Sequence, residues 1–191
     1  MMAAQPSRAA SNVESVTSYI ALLRGVNVGG ITVKSADLAA LFEEFGFEGV
    51  RTVLASGNVV FETSKRESHA ALKRRIEQGL RDSFGYDAWI ILLTRAELEG
   101  AIEGFPFDAD DARRQPWVIF VSEPAVLDEL MQAADDVDPD IDPLAAGDGV
   151  VYWNPVKGTS VQTPFSKILG KARYKPVTTN RNLRTLRKIL G

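Results

Sequence analysis

A chain of 191 residues has room for one ordinary domain or two small lobes with a real hydrophobic core. Its 45% hydrophobic and 25% charged content is globular, and the absence of cysteine excludes disulfides, thiolate metal sites and thiol nucleophiles. A single histidine, His69, set among charged residues of helical period, makes Ser/His/Asp chemistry and histidine-bound zinc poor fits.

In chain order, residues 1–18 are polar and lack an apolar signal-peptide core, so a disordered tail is expected there. Tyr19 to Arg24 is a short apolar run that ends at the glycine-rich stretch Arg24-Gly25-Val26-Asn27-Val28-Gly29-Gly30, the pattern of a buried strand followed by a loop. Leu38, Leu41, Phe42 and Phe45 recur at helical spacing between Ser35 and Gly46. Val50 to Leu54 and Val59 to Phe61 flank Ser56-Gly57-Asn58 and predict a hairpin. A basic amphipathic helix with Leu72, Ile76, Leu80 and Phe84 on one face follows, then the strand Ala88 to Leu93. The resulting order is β-α-β-β-α-β, a ferredoxin-like unit over residues 19–93.

Residues 94–191 are expected to form a second, looser unit of the same kind. Thr94 and Glu97 make a capping box, Trp117 to Val121 is a strand, and Pro124 opens a helix continued by Leu127, Leu130 and Met131. Val150 to Trp153 is a strand with a partner between Ile141 and Ala146, and two helices, Pro164 to Leu169 and Arg181 to Leu190, end the chain. The fold class is therefore α+β: two packed ferredoxin-like lobes of mostly antiparallel sheet whose outer faces carry helices.

Charge is distributed unevenly along the chain. The net charge is −3, yet nine of the 22 Lys and Arg residues follow Asp148 and no acid does. This basic end has two readings: it packs against the acidic residues 108 to 142, or it meets an external anion such as nucleic acid. The alternation Asp136, Asp138, Asp140, Asp142 opens like a calcium loop but has Ile141 and Gly147 where that loop needs Gly and Glu, so a solvated acidic loop is expected and no metal.

Topology gathers the polar residues. In a β-α-β-β-α-β unit the first strand ends at the edge where the second and third are joined, so Arg24, Asn27, Ser56 and Asn58 are expected to meet. Together with Gly29, Gly30 and Gly57 they would offer a guanidinium, amides, a hydroxyl and close backbone to a phosphate or carboxylate. The alternative is that these side chains only fix their own turns. The loop does not have the order of a dinucleotide fingerprint or a P-loop.

YIALLRGVNVGG from Tyr19, LASGNVVF from Leu54, GFPF from Gly104 and TTNRNLRTLRKI from Thr178 together resemble the bacterial domain-of-unknown-function family 1697. The resemblance implies two ferredoxin-like lobes and no established activity, cofactor or catalytic set. It also implies a polar motif at Arg24, Asn27, Gly29, Ser56, Gly57, Asn58, Arg181 and Asn182. The expectation is a cytoplasmic protein, with no membrane segment, that holds a small anionic ligand such as a nucleotide or phosphorylated metabolite. A nucleic-acid-associated protein is the first alternative and an enzyme of unknown reaction the second.

Overall fold

The structure is a computed structural model that describes residues 16–26, 32–55, 57–85 and 87–191. The first half contains β1 (Thr17–Arg24), α1 (Ser35–Glu44), β2 (Glu48–Thr52), β3 (Asn58–Thr63), α2 (His69–Phe84) and β4 (Trp89–Thr94). The four strands form an antiparallel sheet in the order β2-β3-β1-β4. β1 begins two residues before the apolar run, because Thr17 and Ser18 pair with Thr63 and Glu62. Residues 1–15 of the expected tail lie outside the described residues.

Alternation along β1 explains how the sheet is covered on both faces. Ala21 and Leu23 join Leu38, Phe42, Leu72 and Ile76 in a core under α1 and α2, while Ile20 and Leu22 point to the other side. The turn of the hairpin is one residue longer than expected and starts earlier in the chain. Leu54 belongs to the turn, at φ 58° and half exposed, rather than to the strand before it, and Val53 N–H bonds the Asn58 carbonyl across that turn.

α3 (Arg95–Glu103) connects the two sheets and starts at the expected capping box, in which the Thr94 hydroxyl accepts from Glu97 N–H and Glu97 accepts from Thr94 N–H. The second half then runs β5 (Trp117–Val121), α4 (Pro124–Gln132), β6 (Leu144–Gly147), β7 (Val150–Trp153), α5 (Pro164–Leu169), β8 (Thr178–Asn182) and α6 (Leu183–Leu190). Its sheet order, β6-β7-β5-β8, repeats the first sheet position by position. The molecule is thus an α+β protein of two four-stranded antiparallel sheets in two lobes.

One element differs from the sequence reading. Arg181 and Asn182 belong to strand β8, paired with Val118 and Trp117, and not to the final helix. The β-branched Thr178 and Thr179 favour the strand, and the Asn182 side chain accepts from Arg184 N–H, which starts α6 at Leu183.

The two sheets share a middle core. Ile20, Leu22 and Ile91 from the first meet Val118, Phe120 and Val150 from the second, with Leu98 of α3 and Leu183, Leu186 and Ile189 of α6 filling the layer. Phe105 and Phe107 are a satellite of this core, stacked edge-on against each other, with Phe105 also edge-on to Tyr152. On the outer face of the second sheet, Leu130 of α4 and Phe165 of α5 pack with Ile119, Val151 and Trp153.

Within the acidic alternation, Asp142 is buried, and its two oxygens accept from Trp153 Nε1 at 2.8 Å and from Phe165 N–H at 3.0 Å. Truncation would leave both donors buried without an acceptor, each costing about 1–3 kcal/mol. Asp142→Ala is therefore expected to lower the urea unfolding free energy by at least ~2 kcal/mol, while Asp140→Ala, on an exposed neighbour, changes it by under ~0.5 kcal/mol. Equal effects would contradict this role for Asp142.

Candidate functional site

The end of β1, the β2–β3 turn and β8 converge at the seam between the lobes. Arg181 leaves β8 toward the first lobe and is almost fully buried there. Its Nη2 donates to the Leu23 carbonyl at 2.6 Å and the Gly57 carbonyl at 3.3 Å, and its Nε donates to Asn58 Oδ1 at 2.6 Å. Nη1 donates to Thr179 Oγ1 and to the Asn180 carbonyl, both at 2.9 Å, within β8 itself.

The acceptors are in place for local reasons. β3 begins at Asn58, so the Leu23 carbonyl lies beyond the last β1–β3 pair, and the guanidinium supplies the donor that a longer β3 would have supplied. Asn58 is fully buried and donates from Nδ2 to the Val53 carbonyl at 2.8 Å, which turns its Oδ1 toward Arg181. Gly57 sits at φ 69°, and a Cβ there would fall 2.4 Å from Val26 Cγ2 and 2.9 Å from Leu23 Cβ. Only glycine lets the turn lie this close to β1.

Arg24, half-buried at the end of β1, reaches the same strand from the other side. Its Nη1 donates to the Thr178 carbonyl at 2.6 Å and to Thr178 Oγ1 at 2.8 Å, and that hydroxyl in turn donates to the Tyr174 carbonyl. Burial lowers the pKa of both arginines. For Arg181 burial comes first and the Arg24 charge second, and together they press it down to about 10, so it remains a cation at neutral pH. Two guanidinium groups are thus held near one another on carbonyl, amide and hydroxyl oxygens.

Of the residues expected at a site, Arg24, Gly57, Asn58 and Arg181 come together. Asn27, Gly29, Gly30 and Ser56 lie outside the described residues. Asn182 neighbours Arg181 on β8 and so faces the opposite side of the sheet, where it caps α6. Thr178 and Thr179 complete the network and escaped the sequence reading, since they acquire a role only once Thr178 to Asn182 is a strand.

His69 lies at the start of α2 and places Nε2 at 3.1 Å from the Leu92 carbonyl. Among the described residues no group of three His, Asp or Glu side chains is arranged to hold a metal ion, and no helix is long and apolar enough to cross a membrane. Of the C-terminal bases, Arg173 pairs with Glu129 and lies over the Tyr174 ring, whereas Arg184, Arg187 and Lys188 stand exposed on α6.

Arg181→Met keeps much of the apolar stem and removes every hydrogen bond of the head group. Bonds to a charged group contribute about 1.5–3 kcal/mol each without being additive, so a loss of roughly 3 kcal/mol or more is expected by urea denaturation. Arg24→Met, which gives up its bonds to Thr178 alone, is expected to cost half of that or less. An Arg181→Met variant as stable as the parent would mean that the network contributes nothing.

A conserved bacterial protein from Streptococcus pneumoniae, SP0830, has a similar structure. It superposes with a TM-score of 0.76 at 25% sequence identity, over 92% of this chain and 98% of that one. No curated protein matches the chain. The family described as "Protein of unknown function (DUF1697)" matches residues 16–152, which takes in Arg24, Gly57 and Asn58 and stops before Arg181. The chain belongs to this family of unknown function, and the seam between its lobes is the place where the family's matched segment meets the basic C-terminal strand.

Proposed function

We propose that the protein binds a small anionic ligand, a phosphate ester or nucleotide, at the seam beside Arg24 and Arg181. The observation that carries this reading is geometric: two guanidiniums, Arg181 almost fully buried and Arg24 half-buried, are both held on β8 at the seam, close enough to repel each other. An oxyanion placed between them would relieve that repulsion and gain charge-assisted hydrogen bonds. Arg24 is the better candidate for direct contact. Its Nη1 is spent on Thr178, while its Nε and Nη2 make no hydrogen bond to a described residue. Arg181 would act from behind, holding the Gly57-Asn58 turn and adding charge. In the sequence Asn27, Gly29 and Gly30 closely follow Arg24 and Ser56 precedes Gly57, residue types whose amides and hydroxyl suit anion oxygens. The same reading treats each lobe as a ferredoxin-like unit and puts the protein in the cytosol, where such ligands are abundant.

The exposed row Arg184, Arg187 and Lys188 favours a second reading, a surface for the nucleic-acid backbone. The two readings differ in what they respond to. Thermal denaturation with inorganic phosphate, AMP, ATP and a short oligonucleotide, in wild type, Arg24→Gln and an Arg184/Arg187/Lys188→Glu variant, separates them. A small anion at about a hundred times its dissociation constant should stabilise wild type by about 2.7 kcal/mol, roughly 5–10 °C for a chain of this size. The shift should vanish in Arg24→Gln and persist in the charge-reversed variant. The reverse pattern, with the oligonucleotide alone effective, would replace the first reading by the second.

A further inference from the structure

A separate cleft opens between the lobes, away from the arginines, with a volume of about 700 Å³. α2 and β4 line it from the first lobe, the end of β5, the β6–β7 turn and Tyr152 line it from the second, and α3 lies between them. This volume is in the range of small-molecule sites. Its apolar part is formed by Ile91, Phe120 and Val150, and its charged lining is Lys73 on α2, Asp148 in the β6–β7 turn and Glu97 on α3, whose carboxylate is already held by the Thr94 N–H and hydroxyl.

Two further features point to an occupant. The ring of Tyr152 is buried, but its hydroxyl bonds no described residue and is not sealed from solvent at the cleft. The hydroxyl lies at α3, 2.5 Å from where a Cβ on Gly104 would stand, and burial together with the Asp148 charge raises its pKa, so it remains a protonated donor. A hydroxyl that solvent reaches and that has no protein acceptor is free to donate to a ligand in the cleft. Gly100 is the second feature. It stands inside α3, where glycine weakens a helix, and a Cβ there would meet nothing within 4 Å. Its missing side chain leaves room in the cleft it lines.

We propose that this cleft is a binding site for a small zwitterion with an apolar body, the chemistry of a hydrophobic amino acid or dipeptide. The ammonium group faces Asp148, which forms no salt bridge among the described residues, and the carboxylate faces Lys73. Lys73 is available for this because its contact with Glu77 is long, at 3.8 Å. The apolar side chain lies over Ile91, Phe120 and Val150, and the Tyr152 hydroxyl donates to an oxygen of the bound molecule.

The probe is phenylalanyl-leucine, measured by isothermal titration calorimetry beside its N-acetylated and C-amidated forms. The free dipeptide is expected to bind, and each capped form at least about ten-fold more weakly, the loss of one charged contact. Asp148→Asn should weaken the free dipeptide about as much as N-acetylation does, and should not weaken the acetylated form further. Tyr152→Phe keeps the ring and is expected to lower affinity several-fold. Gly100→Leu fills the cleft and suits a helix, so it should abolish binding while its melting temperature stays at or above wild type. Arg24→Gln should bind the dipeptide like wild type, which separates this site from the anion site. Absence of binding, equal binding of capped and free forms, or unchanged binding by a folded Gly100→Leu protein would each overturn the assignment.

Discussion

The Arg181 guanidinium is the interaction on which the arrangement of the two lobes depends. A charged group this deeply buried is tolerated only if its donors are met, and here they are met by carbonyls and an amide oxygen. Three of those acceptors, on Leu23, Gly57 and Asn58, belong to the other lobe, more than 120 residues earlier in the chain. Arg181 therefore acts as a cross-lobe strand extension, occupying the carbonyl that the short β3 leaves unpaired. This accounts for the residues around it: a glycine because the turn must touch β1, an asparagine because one amide must serve both its own turn and the guanidinium.

Two sheets of the same strand order, each with helices on its outer face, leave two inner faces to be buried. They are buried against α3, α6 and one another. Such a middle layer is apolar and has little directionality, so by itself it would set the relative position of the lobes loosely. The hydrogen bonds of Arg181 and the Arg24–Thr178 contact add the direction. Where sheet and helix do not fill the layer completely, the cleft at Tyr152 and Gly100 remains. The proposed anion site and the proposed binding cleft both arise from one construction, two lobes locked at a polar seam and packed over an incompletely filled layer.

The first lobe was readable in the sequence because its apolar runs are clean and its turns are marked by glycine. Topology puts Arg24 and Asn58 at the same end of the first sheet, where Arg24 bonds Thr178 and Asn58 bonds Arg181. The second lobe was less readable for identifiable reasons. Arg181 to Leu190 continues the helical spacing of Leu183, Leu186 and Ile189 backward without a break, which hides the strand ending at Asn182. Leu54 looks like a strand residue by its side chain, yet the turn places it at positive φ. Asp142 looked like one acid in a row of four, and burial alone distinguishes it. Tyr152 and Gly100 become a site only through elements brought together from both lobes, and no local pattern announces that.

The most direct test of the central claim, that the seam makes the two lobes one cooperative body, is differential scanning calorimetry of the wild-type chain. Locked lobes predict one transition whose calorimetric and van't Hoff enthalpies agree. Two resolved transitions, or a calorimetric enthalpy well above the van't Hoff value, would show lobes that unfold separately and would contradict the role given to Arg181.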